Sequence, residues 1–464
     1  MLVNPRALNE AAVGVGIPIG LSTLAAITET AGHEVRFIDA PILDQPTPKV
    51  VEDAMEWKPD LVGMTAMTAV YPAACEVANA LRDAGYGGKV VLGGPHVTFT
   101  AEQTLREEPA FDFVVRGEAD ASFVELLEAL QSGGSPRDIA GVSMREDGRI
   151  VHAPPRVAPK DIGPIPPPAY HLLPMDAYRE RQAGAFGETF SPVRLLASRG
   201  CPWSCEFCSV PAVSGKAYRQ RRADVIVDEV ARLHREYGIT SFKFADDSLG
   251  VVARHVLDIC AGIKGLDMPL KWECETRLDL LKPNILEALA GAGCRGIWVG
   301  IESGNAATLK RVSKGLKLEE IAPQVRLIQK YGLRVSGFFI TGLPFENEAG
   351  HQENVRFACE LGLDMAVFSV LTPFPGTEYW NHPEKHGLNI RTRNFSHYTE
   401  SEAVIDTSEL TAEDINRINW QSYLNFYMRP EYVTTRQPEF RFGIAKFVLG
   451  FAERLMQIQV PALN

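Results

Sequence analysis

Arg199-Gly200-Cys201-Pro202-Trp203-Ser204-Cys205-Glu206-Phe207-Cys208 is the stretch that decides how this chain is read. It sets three cysteines within eight residues, spaced CxxxCxxC, directly after a strand-like run at 193–198. Three thiolates this close can converge on one metal or cluster, and soft sulfur selects zinc or iron–sulfur. A structural zinc site takes a fourth Cys or His. The nearest histidines are His171 and His234, more than twenty residues away on either side. Three ligands leave one coordination position open, which suits a cluster that must bind a substrate. Cys201, Cys205 and Cys208 are therefore the candidate metal ligands and the centre of the chemistry.

Downstream of the triplet, apolar strand-like runs fall at 193–198, 241–245, 271–276, 296–301, 335–340 and 366–371. Helical patterns separate them near 223–237, 252–264, 283–292, 305–312, 318–331 and 349–361. Six βα repeats over about 180 residues predict a partial (β/α)6 barrel, with its chemistry at the carboxyl ends of the strands. Upstream, short runs at 2–3, 35–38, 61–64, 90–92 and 111–115 alternate with helical stretches. That alternation predicts an α/β, doubly wound, Rossmann-like sheet, again with ligands beyond the strand ends. Those ends carry Thr65-Ala66-Met67-Thr68, Gly93-Gly94-Pro95-His96 and Gly117-Glu118. Glycine there permits close backbone approach to a ligand. Eight prolines between 154 and 174 forbid a regular helix or central strand. The expected division is 1–152, a proline-rich linker at 153–190, the barrel at 191–380, and a mostly helical segment at 381–464 with helices at 411–426 and 442–459.

Composition narrows the function classes. The 464 residues are 45% hydrophobic and 23% charged, so a large core is available. Forty-seven basic against fifty-eight acidic residues give a net charge of −11, which argues against a nucleic-acid partner. No uninterrupted apolar run of about 20 residues is present, so no transmembrane segment is expected, nor does the amino terminus read as a signal peptide. A cytoplasmic location is the expectation. The five cysteines outside the triplet are scattered singly, unlike a secreted disulfide framework.

CxxxCxxC on the first strand of a partial barrel resembles the radical S-adenosylmethionine (SAM) enzymes. The resemblance implies a 4Fe–4S cluster on Cys201, Cys205 and Cys208, whose remaining iron chelates SAM. It implies reductive cleavage of SAM to a 5′-deoxyadenosyl radical, with an electron donor such as flavodoxin or ferredoxin. Phe207 matches the aromatic position that meets the adenine. Other strand ends follow the same family: Asp246 in Phe244-Ala245-Asp246-Asp247, Arg277 in Glu275-Thr276-Arg277, and Glu302 and Ser303 in Gly300-Ile301-Glu302-Ser303-Gly304. Glu302 can accept from ribose hydroxyls or an ammonium, and Arg277 can fork onto a carboxylate. Arg219 and Arg221 can neutralise substrate carboxylates or phosphates, or pair internally.

A doubly wound domain ahead of such a barrel resembles the cobalamin-binding domain of the cobalamin-dependent members. Thr65, Met67, Thr68, Gly93, Gly94, Pro95, His96, Gly117 and Glu118 follow that subfamily's pattern and are the implied cobalamin-binding residues. None of the ten histidines has Asp two positions before it, so the Asp-x-His-x-x-Gly motif is absent. That argues against a histidine ligand to cobalt and brings Met67 or water toward the lower face. Cobalamin beside a radical source implies methylation of an unactivated carbon through methylcobalamin. The alternative is an oxidative cyclisation like that of the anaerobic Mg-protoporphyrin monomethyl ester cyclase, which 425–430 (Asn-Phe-Tyr-Met-Arg-Pro) resembles. A sensor without turnover is the non-enzymatic alternative. The substrate is expected to be a small molecule, a peptide, or a lipid or tetrapyrrole. An amphipathic helix at 442–460 suits either packing on the barrel or docking of a greasy substrate.

Overall fold

The computed structural model describes residues 1–9, 16–182 and 191–435. The helix expected at 442–460 lies outside these residues. The amino-terminal sheet has seven strands in the order β2-β1-β3-β4-β5-β6-β7. They are β1 Leu2–Asn4, β2 Phe37–Asp39, β3 Leu61–Thr65, β4 Lys89–Gly93, β5 Phe113–Val115, β6 Val142–Glu146 and β7 Arg149–His152. The first five are parallel, the last two antiparallel. The buried runs of β3 and β4, such as Leu61, Val62, Gly63 and Met64, are apolar throughout because helices cover both faces. The chain order reverses at β1, which opens a crevice beyond the ends of β1 and β3.

The β6–β7 hairpin was not anticipated. Its signal was Asp147-Gly148, both with positive φ (48° and 75°), the two-residue turn that joins antiparallel strands. The proline-rich run after it holds a short helix at Met175–Gln182. It also forms part of a cavity wall, described below.

The second sheet has six parallel strands in strict chain order. They are β8 Arg194–Leu195, β11 Ser241–Phe244, β12 Lys271–Thr276, β13 Cys294–Glu302, β14 Arg334–Thr341 and β15 Met365–Val370. Between β8 and β11, a small antiparallel pair, β9 Ser198–Arg199 and β10 Arg219–Gln220, brackets the cysteine loop. Six strands curve without closing, so β15 is left as an edge, with backbone groups that need partners. The helix Ala412–Tyr427 supplies them. Tyr427 Oη donates to Ala366 O (2.8 Å) and accepts from Ala366 N (3.1 Å), and Asn419 Nδ2 donates to Phe368 O (2.6 Å). Phe368 N donates to Tyr423 Oη (3.1 Å). Tyr427 of the 425–430 stretch thus belongs to an edge buttress. The segment after 380 is not purely helical: β16 Asn389–Ile390 pairs antiparallel with β17 Ile405–Asp406. Its Leu388, Phe395, Tyr398 and Ile405 share one core with Val62 and Leu92 of the first sheet and with Val97 of the helix Pro95–Glu107 that follows β4.

Candidate functional site

Both sheets turn their strand ends toward one cavity of about 390 Å³. Thr65, Gly93, Gly94, Pro95, Gly117 and Glu118 line it from the first sheet, and Leu196, Ser198, Ala245 and Asp247 from the barrel. Ile162, Ile165, Pro166 and Pro168 form a third wall, so the linker shapes the site. The first-sheet wall combines glycine backbone with the aliphatic Ile19, Leu21, Leu24 and Met64. Gly94 has φ 102°, and a Cβ there would stand 2.7 Å from Ala66 O. At Gly20 and Gly117 a Cβ would meet nothing within 4 Å, so both positions open onto free space. This glycine-rich floor accommodates a large flat group such as a corrin against bare peptide.

Not all residues of the loop after β3 and β4 reach that cavity. His96 is buried, packed between a tilted Tyr71 ring (centroids 4.3 Å apart) and the edge-on ring of Phe395 (4.5 Å). Its Nδ1 lies 3.3 Å from Thr68 Oγ1, and Nε2 has no partner. Burial lowers its pKa to about 3, so it is a neutral ring in the seam with the carboxyl-terminal segment, away from the cavity. Thr68 is buried with it. Met67 is half-exposed and lines a neighbouring cavity of about 470 Å³ with Arg6, Arg181 and Arg194. Leu196, Ala245 and Ile19 separate the two cavities and line both.

Glu118 is also engaged elsewhere than expected. Its carboxylate accepts two hydrogen bonds from Arg219 (2.5 and 2.8 Å), while Arg199 forks onto Asp120 (2.6 and 3.3 Å). Four charges thus tie the loop after β5 to β9 and β10. Arg221 pairs with buried Glu229 at 2.6 Å. Neither Arg219 nor Arg221 is free to meet a substrate anion.

Two residues beyond Arg199, the cysteine loop begins. Gly200 has φ 88°, and any Cβ would stand 2.3 Å from Ala217 O, so only glycine can lead the chain from β9 into Cys201. Cys201, Cys205 and Cys208 are free thiols, partly exposed. Burial pushes Cys208 up to about 12, with Cys205 and Cys201 adding to the rise. Burial likewise raises Cys201 and Cys205, opposed at both by Arg277 and Lys314. Thiols held so high need a positive centre to ionise, which a metal cluster supplies. Among the described residues no group of three His, Cys, Asp or Glu side chains is arranged to hold a metal ion.

Past the loop, Phe207, Glu302, Phe338, Ile340, Ser369, Phe374 and Glu400 line a cleft of about 230 Å³ at the ends of β13–β15. Glu302 ends β13 with φ 68° and pairs with Lys314 Nζ at 2.7 Å, both buried. Ser303, expected to bind cofactor, is wholly buried and donates to Glu346 (2.6 Å). Arg277 does fork, but onto Asp279 (3.0 and 3.2 Å), and it donates to Lys314 O (2.8 Å). Its guanidinium lies 4.2 Å from the Trp203 ring. It therefore braces the cysteine loop against the turn at 313–314. Asp246 is wholly buried, accepting from Ala197 N (3.0 and 3.1 Å) and from Ser198 Oγ. It fixes β8 to β11, while the adjacent Asp247 is the one that faces the cavity. Burial, then Glu275, raises Asp247 to about 6.

Comparison with known proteins fits both halves. Residues 5–127 match the B12 binding domain and residues 195–358 the Radical SAM superfamily. An uncharacterized methyltransferase of Pyrococcus horikoshii is 35% identical over 416 residues, 90% of this chain and 89% of that protein. The chain belongs to the radical SAM enzymes that carry a B12 binding domain. Within that family, the anaerobic magnesium-protoporphyrin IX monomethyl ester cyclase of Rubrivivax gelatinosus is 25% identical, over 93% of this chain and 77% of its own length. The fold is shared with the radical S-adenosylmethionine methyltransferase TsrM of Kitasatospora setae, solved with cobalamin and a 4Fe–4S cluster bound. That likeness has a TM-score of 0.74 at 18% identity and covers 98% of this chain and 99% of that one. For this radical SAM chain, sequence reasoning missed Lys314, Asp247 and Glu400. Lys314 sits in a loop with no strand-end position to mark it, and Asp247 differs from Asp246 only by the turn that follows β11.

Proposed function

We propose that this chain binds a 4Fe–4S cluster, SAM and cobalamin, and methylates an unactivated carbon of a small-molecule substrate. One observation carries the reading: the glycine-rich floor of the first sheet and the ends of β8 and β11 wall the same cavity, two residues from the cysteine loop. When bound, the cluster and SAM supply a carbon-centred radical and cobalamin supplies a transferable methyl group. The chain's own part is placement. Cys201, Cys205 and Cys208 hold the cluster. Phe207 and Glu302 bound the SAM cleft, and Lys314 holds Glu302 in place. Gly20 and Gly117, where a Cβ would meet only open space, let the corrin lie on the backbone, and the apolar Ile162, Ile165 and Pro166 exclude water. Holding reactants in line replaces lost translational freedom. The division at 1–152, 153–190, 191–380 and 381–464, a cytoplasmic setting, and reduction by a flavodoxin- or ferredoxin-like donor belong to the same proposal. Among the described residues no helix is long and apolar enough to cross a membrane.

The test is anaerobic turnover of reduced, cobalamin-loaded protein. 5′-Deoxyadenosine must form from SAM, with S-adenosylhomocysteine formed alongside once a substrate is supplied. 5′-Deoxyadenosine without S-adenosylhomocysteine in the presence of a converted substrate supports oxidation instead. No 5′-deoxyadenosine from iron-replete protein refutes an enzymatic role.

A further inference from the structure

The SAM cleft contains a carboxylate that no barrel strand supplies. Glu400 lies between β16 and β17, beyond residues 195–358 that match the Radical SAM superfamily. It is exposed, and the surface it exposes opens into the cleft shared with Phe207, Glu302, Ser369 and Phe374. Its backbone is locked in place, since Val370 N at the end of β15 donates to Glu400 O at 2.6 Å.

Two features set Glu400 apart from an ordinary loop acid. First, its φ is 61°, a left-handed conformation that a side chain with a Cβ adopts only at a cost. Glu302, across the same cleft, has φ 68°. Strain of this kind concentrates at ligand clamps, and here it falls on both acids of one cleft. Second, the charges do not balance. Glu302 is neutralised by Lys314, but no lysine, arginine or histidine lies within ion-pair distance of Glu400 among the described residues. Surrounding protein and then the Glu302 charge disfavour its ionised form, with only Ser369 opposing them. The cleft therefore carries one uncompensated acid, facing space large enough for a ligand.

We propose that Glu400 is the counter-charge for the cationic groups of SAM, an anchor contributed by the carboxyl-terminal segment rather than by the barrel. SAM bears an ammonium, a carboxylate and a sulfonium, a net charge of +1, which matches one unpaired carboxylate. This rests on the proposed function, because it presumes that SAM is the occupant of the cleft. It also gives the segment after 380 a role in cofactor binding beyond packing.

The test is equilibrium binding of SAM to the iron-replete, full-length protein under anaerobic conditions, with Glu400→Gln, Glu400→Asp and wild type compared. 5′-Methylthioadenosine, which keeps adenine and ribose but has neither cation, serves as the reference ligand. Glu400→Gln should weaken SAM about tenfold or more, equivalent to at least ~1.4 kcal/mol. 5′-Methylthioadenosine should change by less than about twofold, and Glu400→Asp should recover most of the SAM affinity. Thermal melting and iron content establish that each variant is folded and loaded. SAM affinity within about twofold of wild type in Glu400→Gln overturns the proposal. Equal weakening of both ligands also overturns it, since Glu400 would then only shape the cleft. A wild-type protein that binds no SAM defeats the functional reading itself, an outcome visible before any variant is measured.

Discussion

The two walls of the central site are built by opposite means. The first-sheet wall is glycine, proline and aliphatic surface, and its only acids, Glu118 and Asp120, are neutralised by arginines reaching over from β9 and β10. The barrel side is crowded with charge: Asp247 lines the cavity, Glu302 pairs with Lys314 beside the neighbouring cleft, Arg277 braces the cysteine loop, and Glu400 reaches that cleft from the carboxyl-terminal segment. Under the proposed function one wall recognises by shape and the other by charge placed in a low-dielectric setting. Steric changes should therefore damage the first wall and charge changes the second, with little crossover.

The largest effect expected comes from the cysteines. Cys201→Ala, Cys205→Ala and Cys208→Ala should each reduce SAM cleavage to background and lower bound iron, while hydroxocobalamin retention stays near wild type. Iron assay, 5′-deoxyadenosine quantitation and corrinoid absorbance measure the three. A cysteine variant that also loses corrinoid would erase the division between the walls.

Next is the ion-pair bridge. Removing one member of a buried pair leaves the other uncompensated, at a cost of about 3–5 kcal/mol. The Arg219 side chain is 3% exposed and Glu118 11%, so Arg219→Ala should fall in this range in urea unfolding. The double variant Arg219→Met with Glu118→Met should regain much of it. Equal losses in the single and double variants would show that packing, rather than charge, joins the walls there.

Gly94→Ala tests the shape-reading wall. A methyl 2.7 Å from Ala66 O, on a residue with φ 102°, should cost about 1–3 kcal/mol and weaken corrinoid retention. SAM cleavage should persist, uncoupled from product. A pH dependence is expected on the charged side. Burial raises Asp246 from 3.8 to about 7, so its folded value lies above its unfolded one. Its contribution to stability is full below about pH 4 and is lost as pH rises toward 7. Melting of wild type and Asp246→Asn across pH 4–8 should show the wild-type advantage shrinking over that window. A constant difference would mean that Asp246 is ionised throughout.

The architecture was legible because burial leaves periodic marks. Lys271–Thr276 and Ala223–Tyr237 appear at the residues their patterns give, since both bury apolar positions in register. Pairing among polar side chains leaves no such mark. Arg277 was expected to meet a ligand carboxylate, and its geometry is indeed a fork, but Asp279 two residues away receives it. His96 looked like a loop residue beside a ligand, yet Phe395, three hundred positions along the chain, closes over it. Glu400 carried no signal at all, because its position is set by a backbone bond to Val370 of β15, thirty residues earlier in the chain.

The bridge between Glu118, Asp120, Arg199 and Arg219 bears on how such a protein can arise and be taken apart. Arg219 is sealed in by a partner from the other sheet, so a barrel produced alone would carry a stranded cation beside its cysteine loop. Gene fusion of two ready-made modules would meet the same obstacle until matching charges appeared on both. Glu118 and Arg219 should therefore change together or be retained together, and dissection into halves should yield insoluble fragments rather than two working domains.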